Sequence, residues 1–325
     1  MEKGLGPRSA LTPQNLRKMK KCANKTGQSN RVVAKRLGFS KSSSSRGFLH
    51  ELGLPAYRRP KQSKLTEKHI KMRYECSKVW KDAPIETWEE FIVTDEKIWT
   101  TTGYMNPQND RVRAEKAEDV EPYNLDKFPG NRMSWMRVTP RGTTGLKWMK
   151  GNVNGENYRV NILEKTMLND VFKRKGTTGP IHKRKLVPSN ARAIFEEDFA
   201  KPHSSNANQA YMEEHFPNHT PTLHRYRGKH KYWFPPKLDD FWDIERVWAI
   251  MSEDVYREPR PTTIKAVMRR VREASLNLKP ETLIKFRHQF PAKMNEIYRL
   301  KGKKIHSSFD PRKSPFACKC NVCAS

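Results

Sequence analysis

Trp233 to Met251 reads WFPPKLDDFWDIERVWAIM, and the architecture turns on how the second half of that stretch folds. Ile244, Val247, Trp248 and Met251 recur at i, i+3, i+4 and i+7, the spacing of a helix that buries one face. Asp243 stands at the N-cap position, and Pro235 and Pro236 hold the approach extended. Glu245 then falls in the first turn, beside the apolar stripe. Two readings of it are open. It is either a surface carboxylate favoured by the helix dipole, or one held near the core to act with partners elsewhere in the chain.

Upstream of this stretch the period changes to two. Glu90 to Thr94 predicts a strand ending at Asp95, with Lys97 to Thr102 as its hairpin partner. Met133 to Thr139 and Thr144 to Met149 predict two more strands around Pro140-Arg141-Gly142. GNVNGENYRVNIL, from Gly151, turns into a helix running to Lys173. Ala191 to Glu197 predicts a strand that delivers Asp198, with His203 on the loop after it. Helices follow over Asn206–Phe216, Ile264–Leu276, Pro280–Phe290 and Pro291–Leu300. This order gives an α/β three-layer domain with a mixed sheet. Asp95, Asp198 and Glu245 can then converge at one sheet edge, the arrangement of ribonuclease-H-like nucleases. Carboxylates so placed can hold Mg²⁺ ions about 3.5–4 Å apart, although an aspartate at a strand end equally caps a turn.

The 325 residues carry 64 Lys and Arg against 35 Asp and Glu, a net charge of +29. Charge of that size points to a polyanion, nucleic acid before acidic membrane. Residues 1–82 hold 21 Lys and Arg against 5 Asp and Glu, more than half of the excess in a quarter of the chain. There Leu11–Lys25, Ser29–Leu37 and Lys41–Leu52 predict three helices, the first with Thr12 as N-cap and Pro13 at its first position. Ala34 followed by Gly38 marks the tight turn of a helix-turn-helix. The third helix would present Lys41, Ser42, Ser43 and Arg46 to a DNA groove, and the basic run after it adds Arg58, Arg59 and Lys61. That run also reads as a nuclear-import signal, or as a plain solvated linker. No apolar run approaches the roughly 20 residues of a membrane span. Five unevenly placed cysteines do not form a secreted disulfide framework, which predicts an intracellular protein.

Several of these stretches together resemble the Tc1/mariner transposases, of the DDE superfamily. SNRVVAKRLGFSKSSSSR and ELGLPAYRRPKQSKLTEK are similar to the family's second helix-turn-helix and linker. VTDEKIW, FEEDFAKPHSS and FPPKLDDFWDIERVW resemble its three acidic motifs, and GNVNGENY also matches, so the resemblance spans roughly residues 28–303. It implies a helix-turn-helix module over 1–55, standing for the second half of a bipartite DNA-binding domain whose first half is missing, a basic linker over 56–85, a ribonuclease-H-like catalytic domain over 86–303 and a basic Cys-containing tail over 304–325. It implies cut-and-paste transposition: binding of terminal inverted repeats, Mg²⁺-dependent phosphodiester hydrolysis with Mn²⁺ as substitute, and strand transfer into TA sites, in the nucleus. Asp95, Asp198 and Glu245 take the catalytic and metal-binding positions, and His203 and Asp240 are auxiliary candidates. Tyr104 to Asn131 matches the segment that reaches a partner subunit, which implies a homodimer on double-stranded DNA.

Several departures suit an alternative, a catalytically decayed or domesticated DNA-binding protein, as well as a working transposase. Forty-six residues separate Asp198 from Glu245, and the surplus over the family falls on Pro221–Tyr232. Phe199 follows Asp198 where the family has a small residue. Leu238-Asp239 and Trp242-Asp243 replace Ser-Pro and Asn-Pro, predicting a looser turn before Glu245, and Met136-Arg137 sits where small residues are usual. Ser44 and Gly47 replace packing residues of the recognition helix, at an expected cost of about 1 kcal/mol or more. In the tail, Cys318, Cys320 and Cys323, with His306 as a fourth ligand, offer a metal site; free thiols are the preferred reading.

Overall fold

A computed structural model describes residues 11–23, 29–56, 63–103, 127–151, 153–173, 193–216, 218–222, 231–320 and 323. Arg58, Arg59, Lys61 and most of the Tyr104–Asn131 segment lie outside the described residues. The chain forms two compact units, residues 1–62 and 63–325.

The smaller unit holds α1 (Pro13–Cys22), α2 (Asn30–Leu37) and α3 (Lys41–Arg46), the last running on as a π-helical turn over Gly47–Glu51. Thr12, Ser29 and Ser40 cap the three helices with side-chain oxygens that accept backbone N–H groups. Gly38 ends α2 at φ 73°, the left-handed turn read from the sequence. Met19, Cys22 and Val33 form the core, with Leu16, Phe39 and Phe48 against it. The expected loss of packing at Gly47 is not found. A Cβ there would stand 2.7 Å from the Met19 Cε and 2.9 Å from Leu11 Cδ2, so the ends of those two side chains already fill the space beside Gly47. Ser44 is the poorer fit: it is fully buried, and its hydroxyl finds no partner among the described residues. Lys41, Ser42 and Arg46 are exposed, while Ser43 is half-buried and shares the Ser40 cap.

The larger unit is built on a sheet of β1 (Phe91–Thr100), β2 (Asn131–Thr139), β3 (Gly142–Trp148) and β4 (Ile194–Glu196), in the order β3-β2-β1-β4. β1 pairs antiparallel with β2 and parallel with β4, so the sheet is mixed. Beyond β4, His219 makes a parallel bridge to Phe195, a fifth position at that edge. The hairpin expected within 90–102 is not there. β1 runs straight through Asp95 to Thr100 and takes its partner from β2, because Phe91, Val93 and Trp99 all have core to bury.

One face of the sheet is covered by α4 (Glu67–Trp80), α5 (Ile85–Glu89), α8 (Ile244–Val255), α9 (Ile264–Leu276), α10 (Pro280–Arg287) and α11 (Phe290–Arg299). The other carries α6 (Gly155–Tyr158), which continues as a π-helix over Arg159–Lys173, and α7 (Asn206–His215). Alternation along β1 sorts the two cores, with Phe91 and Val93 in the first and Ile92 in the second. This is the α/β three-layer, ribonuclease-H-like arrangement. Glu67–Trp80 is the helix that the sequence leads one to expect from Ile70 to Trp80, and it belongs to this unit; Ile305 also packs against its main core. No helix of the described residues is long and apolar enough to cross a membrane.

One buried cation ties the layers together. Arg287, at the end of α10, is fully buried and donates to Asp243 Oδ2 (2.8 Å), to the carbonyls of Trp88 (2.8 Å) and Phe91 (2.7 Å), and to that of Val138 (3.3 Å). Asp243 therefore does not cap α8 through its side chain as expected; Arg287 takes that carboxylate. Replacing Arg287 with Met should destabilise the larger unit by about 3–5 kcal/mol in urea unfolding, since Asp243 would stay buried and unpaired. In the smaller unit, Ser44→Ala removes an unsatisfied hydroxyl and should stabilise it by about 1 kcal/mol, read as slower amide exchange in α1 and α2.

Candidate active site

The parallel pairing of β1 and β4 fixes the two aspartates. Val93 faces Glu196 in the register, so Asp95 and Asp198 each stand two residues further on, level with one another at the same edge. α8 lies along β1 and brings Glu245 in its first turn. All three line one cleft of about 420 Å³, with Glu196, Glu197, Lys237, Asp239, Phe199 and Leu238 also in its wall.

Asp95 is the most tightly held. Its Oδ2 accepts the indole N–H of Trp248 at 2.8 Å, one turn along α8 from Glu245, and its Oδ1 accepts the Glu96 amide at 2.8 Å. Burial pushes the carboxyl up to about 7; the Trp248 hydrogen bond opposes that, and the charges of Glu96 and Glu245 add to it. Glu245 is also raised, first by burial and then by Asp239, with Lys97 and Lys304 pulling it back. Asp198 behaves differently. Burial raises it, but the hydrogen bond and charge of His203 outweigh that and hold it below its ordinary value. Its side chain keeps 62% of its surface exposed, at the mouth of the cleft.

His203 is buried with its Nδ1 2.8 Å from Asp198 Oδ1 and its Nε2 3.4 Å from Glu96 Oε1. Its ring lies 4.2 Å from that of Tyr158, whose hydroxyl donates to Glu197 Oε2 at 2.8 Å. Burial disfavours the charged ring, yet Glu197, Asp198 and Glu96 together keep it protonated well above its ordinary value. Glu197 is buried and raised to about 7, with His203 and Tyr158 limiting the rise. Glu196 is pushed well up by burial and then by the charges of Asp198 and Asp95. Sequence reading passed over this Glu196–Glu197–Tyr158 set. The Glu-Glu before Asp198 was the available signal, since a pair of carboxylates on a short core strand needs a cation or protons.

Asp240 lies behind the cleft rather than in it. Arg73 of α4 grips both its oxygens at 2.7 Å, the Ile305 amide donates to it at 2.9 Å, and Lys304 is nearby at 3.5 Å. Arg73 also donates to the Lys237 carbonyl, and Lys293 to the Phe241 carbonyl at 2.7 Å. The turn before Glu245 is thus held by buried charge where prolines were missed. Met136 packs in the α8-side core beside Asp95, and Arg137 reaches Met167 on the opposite face, so both larger residues are accommodated. Of the Pro221–Tyr232 surplus, Pro221 and Thr222 are buried and Tyr232 lies near Trp80; residues 223–230 are outside the described residues.

The donor set is chemically specific. It consists of hard carboxylate oxygens that share one cleft, sense one another's charge, and have two members raised in the absence of a cation. Such a set fits Mg²⁺, which takes few oxygen ligands and keeps its waters.

A mixed sheet flanked by helices on both faces, with carboxylates delivered by β1, the end of β4 and α8, defines the ribonuclease-H-like class. Within that class the chain is similar to solved mariner transposase structures. A Mos1 transposase paired-end complex with the left transposon end matches 94% of this chain and 83% of its own, with a TM-score of 0.69 at 16% identity. The Mos1 mariner paired-end complex with Mg matches at 0.68, with the same identity and coverage. The catalytic domain of Mos1 mariner transposase matches over 76% of this chain and its own full length, at 0.52 and 13% identity. No protein-family model matches the sequence, and no curated protein does. The Tc1/mariner resemblance is therefore borne out at the level of the fold.

Asp95 allows a direct check. Its folded carboxyl sits near 7 against an ordinary value of 3.8, so the metal-free fold gains protons relative to the unfolded chain in that window. The stability this confers at low pH is lost as pH rises through about 7. Asp95→Asn mimics the protonated form. In EDTA its Tm should exceed the wild-type value at pH 8 and not near pH 4, the gap opening in between; an equal gap at both would refute the assignment.

Proposed function

We propose that this protein is a Tc1/mariner-family transposase of the cut-and-paste type. The observation that carries the reading is the single cleft shared by Asp95, Asp198 and Glu245 on a ribonuclease-H-like sheet. Asp95, Asp198 and Glu245 would hold Mg²⁺, or Mn²⁺ in its place, which supplies charge neutralisation at the phosphate and a more acidic bound water. Trp248 and His203 act through the acids they touch, orienting Asp95 and keeping Asp198 ionised. Lys41, Ser42, Ser43 and Arg46 of the smaller unit would meet the inverted repeats, followed by Arg58, Arg59 and Lys61 along the backbone. A homodimer holding both ends, a TA target and a nuclear location complete the proposal.

A second reading, a non-cutting DNA-binding derivative, is favoured by the apolar side chains of Phe199 and Leu238, which line the cleft beside the acids. One experiment separates the two. The full-length protein is incubated with DNA ending in the inverted repeats that flank its own gene. The transposase reading expects Mg²⁺- or Mn²⁺-dependent nicking at the ends, lost in Asp95→Ala, Asp198→Ala and Glu245→Ala while binding persists. Binding with a steep salt dependence and no cleavage in either metal would leave the second reading.

A further inference from the structure

Far from the acidic cleft in sequence, the C-terminal segment folds back on α10. His288, the residue after Arg287, is 6% exposed and turns its Nδ1 toward three thiols. Cys320 Sγ lies at 3.2 Å, Cys318 Sγ at 3.4 Å and Cys323 Sγ at 3.5 Å from that one nitrogen. All four ligand atoms lie within 4.8 Å of one another. A single imidazole nitrogen has one proton or one lone pair, so it cannot serve three sulfurs as a hydrogen-bonding partner. A metal ion at the centre can. Zn–S bonds of about 2.3 Å and Zn–N bonds of about 2.0–2.1 Å in a tetrahedron place nitrogen and sulfur about 3.6 Å apart, close to the three distances found.

We propose that His288, Cys318, Cys320 and Cys323 form a structural zinc site. Soft thiolates with one imidazole select Zn²⁺ over the Mg²⁺ suited to the carboxylate cleft. The local chain favours chelation. Cys320 and Cys323 stand three positions apart, and the Cys323 amide donates to the Cys320 carbonyl at 2.9 Å. The far side of the ring is also engaged, since His288 Nε2 lies 2.6 Å from Glu89 Oε1 on α5. That carboxylate sets which ring nitrogen is free and raises its basicity toward a metal. His306, the fourth ligand suggested by sequence, pairs with Ser308 at 2.6 Å instead. None of the cysteines is disulfide-bonded, and an odd number of thiols would leave one over. The site would clip the C-terminal segment to α10 and α5, directly outside the Arg287 anchor.

The test is elemental analysis of the full-length protein purified without chelator. One zinc per chain is expected, retained in His306→Ala and lost when Cys318, Cys320 and Cys323 are all changed to Ser. Because the triple variant could fail to fold, wild-type protein exchanged with Co²⁺ provides an independent reading. Thiolate-to-cobalt charge-transfer absorption with tetrahedral d–d bands is expected, and carboxylates cannot produce the former. Glu89→Gln should retain the fold and lower zinc affinity by about 10–100-fold. Wild-type protein with no more zinc than the triple variant, no charge-transfer band, or a Cys–Cys disulfide in its place would overturn the proposal.

Discussion

The interaction on which the larger unit depends is the buried pairing of Arg287 with Asp243. A guanidinium has five donors and no acceptor, and in a dry core each unmet donor costs free energy. Arg287 directs its donors to one carboxylate and to carbonyls from α5, β1 and β2. It thereby sets where α8 begins relative to the sheet. Glu245 is two residues past Asp243, so the same contact fixes how that carboxylate enters the cleft. Arg73 plays the parallel part at Asp240, three residues earlier, and ties the turn to α4 and the C-terminal segment. The sequence here lacks prolines found in the transposases it resembles, and two charge-paired anchors restrain the turn in their place. A proline restrains a turn through its own φ, whereas these anchors restrain it through distant helices.

How much was legible in the sequence follows from the range of each interaction. α8 and its buried stripe were readable because Ile244, Val247, Trp248 and Met251 announce a helical period within eight residues. The smaller unit's cap at Thr12 and the turn at Gly38 were readable for the same local reason. β1 was misjudged because a carboxylate in mid-strand looks like a strand end. Only the pairing of Asp95 with Met136, some forty residues away, shows the ladder continuing through it. The Arg287 and Arg73 contacts span separations of 44 to 230 residues and leave no periodic trace. His288 was invisible as a neighbour of the cysteines because they lie 30 to 35 positions further on, with α11 between. In the cleft, the three acids were marked by motif and position, whereas the Glu196–Glu197–Tyr158 network depends on burial that no spacing reveals.

The electrostatics of the molecule run in two directions. A net charge of +29 draws a polyanion to the surface, while the cleft concentrates carboxylates from β1, β4 and α8 in about 420 Å³. Burial first, and the charges of neighbouring acids after it, push Asp95 and Glu197 up to about 7 and Glu196 well above its ordinary value, whereas Asp198 is depressed because His203 supplies a charge. A phosphodiester cannot settle against such a wall unless positive charge enters with it, so attraction of DNA to the surface and its admission to the cleft are separate steps. The first depends on lysines and arginines spread over the chain and weakens with salt. On the proposed reading the second would depend on whether the acids give up their protons to a divalent ion, and Trp248 and His203 hold two of those acids in place. On that reading, binding without cutting and cutting after binding would be distinct capacities of one fold, divided by the carboxylates of the cleft and by the Phe199 and Leu238 side chains beside them.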